Sequence, residues 1–307
     1  MSIADFFDTL TNESEGTKHS TLPHLSGLSA DELEQFARKW VNVPEESRRD
    51  LVSKLLVLGE ENVELEFSGV FRICLTDSNP DVREQAIRGL WEFEERTLIR
   101  PLTKILTTDS HPHVRIAAAL GLRRFGMLAQ RGKLILRDSK RVYDSLLTAI
   151  NRNDEDMAVK RRAIEAIACF ENDEVATLIH EAYEGVQEDL KQSALFAMGQ
   201  TSNPRWLPTV LKEMENDDPA IRYEAVTAAG RLGDDSIIPR IVNLIEDEDV
   251  LVQTASIAAL GNIGGAAAKH SLLQCLKSND EVLAQAIQLA LAQLEFVDDP
   301  LGLNINT

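Results

Sequence analysis

Aromatic side chains are scarce in this chain: three Trp, three Tyr and ten Phe make up 5% of its 307 residues. That scarcity disfavours a sandwich or barrel core, and the abundance of Ala and Leu favours closely packed helices. No apolar run approaches the roughly 18 residues that a membrane span requires. The start, Met1-Ser2-Ile3-Ala4-Asp5, lacks the basic residues and apolar stretch of a signal peptide, so the expected location is cytoplasmic. There are only three cysteines, Cys74, Cys169 and Cys275. They lie far apart in helical apolar patterns with no CxxC pair, which reads as reduced core residues and argues against metal or redox chemistry. Basic residues are outnumbered, 32 against 50 acids, for a net charge of −18. Such a field repels phosphate backbones and anionic lipid, which argues against a nucleic-acid or membrane partner.

What is present is a repeat. Asn79-Pro80-Asp81-Val82-Arg83 returns as His111-Pro112-His113-Val114-Arg115 and again as Asp218-Pro219-Ala220-Ile221-Arg222. Aligned on the aliphatic residue, the copies fall at Val82, Val114, Val159, Leu190, Ile221, Val252 and Leu283, with spacings of 32, 45 and then 31 four times. Four residues on come Ala86, Ala118, Ala163, Ala194, Ala225, Ser256 and Ile287; seven on come Gly89, Gly121, Ala166, Ala197, Ala228, Ala259 and Ala290. Offsets of 0, 4, 7, 8 and 11 share one stripe of an α-helix, and small residues on it let neighbouring helices approach closely. A shorter amphipathic helix precedes each copy, as in Ile237–Ile245, with Asn, Asp, Gly and Pro in the turns. One such helical hairpin cannot bury its apolar face alone; stacked neighbours can.

The pattern D-x-x-P-x-V-R-x-x-A-x-x-A-L-G resembles HEAT repeats, specifically the variety named after phycobilisome lyases, over about residues 28–296. The resemblance implies an all-α fold, an α-solenoid of about eight stacked hairpins. It leaves activity open, because HEAT arrays serve as scaffolds, transport receptors, lyases and some DNA-repair enzymes. The expected organisation is a disordered segment 1–27, a solenoid over 28–296 and a tail over 297–307. Within the first segment Ile3, Phe6, Phe7 and Leu10 have the spacing of a short amphipathic helix. The first hairpin, Ser29–Val41 with Glu45–Leu58, lacks the Asp and Val-Arg signature. The Arg column (Arg83, Arg115, Lys160, Lys191, Arg222) and the Asp column (Asp77, Asp109, Asp154, Asp217, Asp247) are expected to pair as a ladder between units, as HEAT arrays commonly do.

The 45-residue spacing marks an insertion at 127–141. From Arg123 to Arg141 the chain carries seven cations against one acid, Asp138, a local reversal of sign in an acidic protein. Insertions in repeat arrays map to loops on one face, often a binding face. Its candidate partner-binding residues are Arg131, Lys133 and Arg137. Offsets of 2, 6, 9 and 13 from each anchor point away from the packed stripe, toward a groove if the Val-Arg helices line the concave side. The candidates there are Trp91, Ile116, Leu120, Gln192, Phe196 and Tyr223, with Arg124, Gln200 and Arg231 one step aside.

No catalytic constellation emerges from the sequence. His111-Pro112-His113 lacks helical i, i+4 spacing and a nearby Cys. His180-Glu181 is similar to the His-Glu pairs of HEAT-like deoxyhypusine hydroxylases, a family that needs several such pairs to hold two irons; this chain has one. There is no Gly-rich phosphate loop and no GxSxG. The expected function is a non-catalytic scaffold or adaptor for a protein partner, without cofactor. The alternative is a lyase- or chaperone-like factor for a cofactor- or chromophore-bearing protein. A HEAT-like DNA glycosylase needs a basic concave face, against which the acidic charge argues.

Overall fold

The turns of the repeat act as helix caps. Asn79 accepts hydrogen bonds from the backbone N–H groups of Asp81 (2.7 Å) and Val82 (3.2 Å), and Pro80 occupies the first turn, where its missing N–H leaves no gap. Asp218 with Pro219, and Asp249, do the same for two later helices. Ser29 and Glu32 form a reciprocal capping box. The computed structural model describes residues 2–10, 19–276 and 281–298. Among these there is no strand, and the chain divides into two units, Met1–Ile167 and Ala168–Thr307.

The first unit opens with α1 (Ile3–Leu10). Four hairpins follow: α2 (Ala30–Trp40) with α3 (Glu45–Glu61), α4 (Ser68–Cys74) with α5 (Pro80–Gly89), α6 (Ile99–Thr108) with α7 (Pro112–Gln130), and α8 (Leu136–Asn151) with α9 (Met157–Ile167). The second helices stack in order, α3 on α5 on α7 on α9, and form one layer; α2 on α4 and α6 on α8 belong to the other. The second unit repeats the plan with α10 (Asp173–Glu184) and α11 (Glu188–Gln200), α12 (Leu207–Glu213) and α13 (Pro219–Leu232), α14 (Ile238–Asn243) and α15 (Val250–Ile263), and α16 (Gly265–Cys275) and α17 (Glu281–Asp298). Here α11, α13, α15 and α17 stack in order. The anchors Val82, Val114, Val159, Ile221 and Val252 are buried, as are Ala86, Ala118, Ala163, Ala194, Ala225 and Ser256 four residues on. Leu190 is the half-buried exception.

Three expectations change. The insertion is not a loop: it lengthens α7 to 19 residues and α8 to 16, leaving only residues 131–135 as a link, with Gly132 at φ +68°. The reason is that α7 carries its apolar stripe onward through Leu122, Phe125 and Leu128, all buried, so helix is favoured over coil. The start is not wholly disordered either. In α1, Ile3, Phe6, Phe7 and Leu10 are buried; the helix packs on α2, with the Phe7 ring 5.1 Å from that of Phe36. His19–Leu25 forms a 3₁₀ helix that buries Leu22 and Leu25, while residues 11–18 lie outside the described residues. At the other end α17 runs to Asp298, and 299–307 lie outside the described residues.

The third change concerns the ladder. Arg83 donates to Asp109 (2.7 and 2.9 Å) and Arg222 to Asp247 (2.9 and 2.8 Å), while each Arg also bonds backbone carbonyls of its own turn. Arg115 pairs instead with Glu155, not Asp154, and Lys191 with Glu213 at 2.8 Å, not Asp217. Glu155 and Glu213 are buried, the first with a buried Arg115 and the second with a half-buried Lys191, so the longer acidic side chain wins the rung by reaching the cation across the gap. The first hairpin has a rung as well: Arg48 lies 3.1 Å from Asp77, which also accepts from the Trp40 indole at 2.7 Å.

Candidate functional site

The exposed face of the α5–α7 layer contains a cavity of about 840 Å³. Its floor and walls come from Ile87, Ile116, Ala117, Leu120, Met127 and Leu128, and Trp91 stands beside it at the end of α5. Trp91 is 60% exposed and Leu120 44%, a large apolar surface for side chains within one groove. The α7 backbone positions Ile116 and Leu120 four residues apart on one face, and Glu84, Ile87 and Arg88 of α5, with Trp91 from the turn that follows, line the same cavity. Arg124 is fixed at the rim by Glu94 (3.1 Å) and by the carbonyl oxygen of Trp91 (3.0 Å). Arg131 is exposed at the same end, and Glu60 reaches in from α3. Glu84 is half-buried near the N-terminal end, and burial pushes its carboxyl above the usual carboxylate range despite Arg88 and His113 nearby.

The structure therefore brings together five of the sequence-derived candidates: Trp91, Ile116, Leu120, Arg124 and Arg131. The other two basic residues go elsewhere. Lys133 is exposed in the link, and Arg137 lines a separate depression between α6 and α8 on the other layer. In the second unit, the Arg231 guanidinium lies 4.5 Å over the Phe196 ring, a cation–π contact between α13 and α11. Gln192, Phe196 and Gln200 are half-buried on α11, and Tyr223 is exposed on α13. Glu84, Arg88, Arg123 and Met127 line the first-unit groove but are absent from the sequence-derived candidates. The signal for them was present, since they occupy the same offsets of 2, 6, 9 and 13 from Val82 and Val114.

The titratable groups are arranged for cohesion. Glu213 accepts from the Tyr183 hydroxyl (2.6 Å), the Asn216 amide (2.6 Å) and Lys191 (2.8 Å). Burial favours its protonated form, but these three donors outweigh it and hold the carboxyl below the usual range. Burial and the same carboxylate push the Tyr183 phenol well up. Cys74 and Cys169 are buried and Cys275 half-buried. Burial raises the thiols of Cys74 and Cys275, the latter with help from Glu246. Among the described residues no group of three or more His, Cys, Asp or Glu could hold a metal ion. Nor is any described helix long and apolar enough to cross a membrane.

A family model of HEAT repeats matches residues 69–141, 175–240 and 207–292. No curated protein matches the chain. Among solved structures, the complex of CpcE and CpcF of phycocyanin lyase from Nostoc sp. PCC7120 is similar, at 15% identity and a TM-score of 0.53, over 74% of this chain and 94% of that one. The E. coli protein YibA is also similar, at 15% identity and a TM-score of 0.46, over 92% of this chain and 98% of its own. Kap95 in complex with Nup1 shares 14% identity at a TM-score of 0.46, over 95% of this chain and 41% of that one. At these identities the likeness is one of fold.

Proposed function

This chain belongs to the HEAT-repeat family, and from that premise we propose that it is a non-catalytic scaffold whose α5–α7 groove receives an apolar segment of a partner protein. The observation that carries this reading is the exposure of Trp91 and Leu120 along one cavity. Large apolar side chains left in water at the edge of a concave site, with arginines at the rim, have the composition of an interaction hot spot. An aliphatic or aromatic anchor of the partner fills the space over Ile87 and Ile116, and a carboxylate beside that anchor meets Arg124 and Arg131. Phe196 with Arg231 over its ring, and the exposed Tyr223, are further candidate contacts in the second unit.

The lyase-like alternative draws on fold alone. Attachment of a cofactor by a protein nucleophile calls for an accessible thiolate, and burial raises the thiols of Cys74 and Cys275 away from that state.

A displayed library of random peptides, selected on the full chain and counter-selected on Leu120→Glu, tests the proposal. The expected result is a set of peptides sharing an apolar anchor with a nearby acid, which bind the parent and not the variant. Enrichment of peptides that bind both equally would refute the groove assignment.

A further inference from the structure

The depression between α6 and α8 has a different character from the apolar groove. It lies on the opposite layer of the first unit and encloses about 610 Å³. Lys104 enters it from α6, and Arg137, Lys140 and Arg141 from α8, against one acid, Asp144. The α8 residues 137, 141, 144 and 148 recur at the spacing of a single helical face, so the charge is a property of that surface. Lys140 and Asp144 hold each other at 3.0 Å, and Arg137 leans toward Asp138 at 3.5 Å. Among the described residues neither Lys104 nor Arg141 has an ion-pair partner.

The hydroxyls of the depression are occupied. Thr103 donates to Arg100 O (3.1 Å), Thr107 to Thr103 O (2.9 Å), Ser145 to Val142 O (2.8 Å) and Thr148 to Asp144 O (2.7 Å). Each hydroxyl has one proton, so none is left to wrap the oxygens of a phosphoryl group. What faces solvent is a set of separate cations on long side chains. Such a set suits several carboxylates distributed along a chain better than one compact anion.

We propose that this depression binds a flexible, carboxylate-rich peptide segment of a partner protein. Charge complementarity selects the ligand: four cations and one acid meet it in a chain whose net charge is −18. The same net charge excludes extended anionic partners. A bilayer or a duplex presents charge to the whole negative body, whereas a flexible segment brings only a few carboxylates within a Debye length of the cations. The site is independent of the α5–α7 groove, so the first unit offers two dissimilar sites on its two layers.

Fluorescence anisotropy of a labelled decaglutamate peptide, titrated with the full chain, tests this. Saturable binding is expected that weakens several-fold between about 20 and about 150 mM salt. The triple variant Lys104→Glu, Lys140→Glu, Arg141→Glu is expected to lose about tenfold or more in affinity, with Leu120→Glu unchanged. Should the charge reversals impair folding, the triple Ala variant gives the same readout with a smaller loss. Equal affinity of a folded triple variant and the parent would overturn the proposal. So would tighter binding of phosphatidylserine vesicles or of a singly phosphorylated neutral peptide than of decaglutamate.

Discussion

The guanidinium of Arg222 and the carboxylate of Asp247 meet in two hydrogen bonds of 2.9 and 2.8 Å between successive hairpins, and both side chains are nearly removed from water. In the first unit the same relationship joins Arg83 to Asp109 and Arg115 to Glu155, so each unit carries ion-pair rungs beside its own apolar core. Each Arg also ties down the turn that precedes its own helix, coupling the shape of one hairpin to the position of the next.

Breaking a rung strands a charge. Asp247→Asn is expected to destabilise the second unit by about 3 kcal/mol, because Arg222 remains buried with only the exposed Glu248, at 3.4 Å, to balance its charge. Urea unfolding measures this. The pH dependence follows from the same pairs. The Arg222 hydrogen bonds hold Asp247 below its ordinary value of 3.8; Asp109, raised by burial, is brought below it by Arg83 and His111. The unfolded chain therefore takes up protons first as pH falls. Stability from these groups is complete above about pH 5 and is lost as pH drops below about 4. A melting temperature that is flat down to pH 3 would contradict the ladder's contribution.

Close helix approach in the second unit rests on two glycines. A Cβ at Gly199 would lie 2.6 Å from Ala228 Cα, and one at Gly230 the same distance from Ala259 Cα. Gly199→Ala and Gly230→Ala are expected to cost about 1–3 kcal/mol each through forced separation of the helices, despite the better helix propensity of Ala. Thermal melts of the two variants check this; a gain in melting temperature would show that the stack yields easily.

Tyr183 and Glu213 set an alkaline limit. The phenol is raised above its ordinary value of 10.0, so the folded state keeps its proton where the unfolded chain releases it. Its contribution is complete below about pH 10 and is lost as pH rises beyond that. Tyr183→Phe is expected to cost about 1–2 kcal/mol at neutral pH, since Glu213 loses one of three donors. Comparing the stability of parent and variant at pH 7 and pH 11 should show the difference shrinking.

The apolar groove predicts a separation of stability from binding. Trp91→Ala and Leu120→Ala remove exposed side chains, so their folding stability is expected to stay within about 0.5–1 kcal/mol of the parent. Affinity for a groove-selected peptide should fall by about 2 kcal/mol for Trp91→Ala, as for aromatic anchors generally. Isothermal titration and denaturant melts on the same samples distinguish this from a packing role.

The first helix predicts the reverse. Phe6 and Phe7 are buried, and Phe7 lies against Phe36, which in turn stacks on Trp40 at 5.3 Å. Phe7→Ala is expected to cost about 3 kcal/mol. Removing residues 1–10 should leave the first hairpin prone to dye binding, because Phe36 loses the ring that packs on it; unchanged dye fluorescence would count against this docking.

The sequence by itself determined the hairpin, its period and its inward stripe. Val82, Ala86 and Gly89 recur because a helix of 3.6 residues per turn must return the same face to the same neighbour, and that requirement is local. It also marked Asp77, Asp109 and Asp247 as ladder residues, and offsets from Val82 and Val114 pointed to Trp91, Ile116 and Leu120. Tertiary structure alone decided what meets across helices. Glu155 replaces Asp154 and Glu213 replaces Asp217 because the reach of a side chain into a buried gap depends on how closely two helices approach. Arg48 joins the ladder without a signature for the same reason. Arg131 and Arg137, six residues apart, face different layers because one follows the end of α7 and the other begins α8 beyond a turn at Gly132. Lys104 comes to share a depression with Arg141 only when α6 and α8 lie side by side. Periodicity along a chain records which way a side chain points, whereas its partner is chosen by packing, which no single helix encodes.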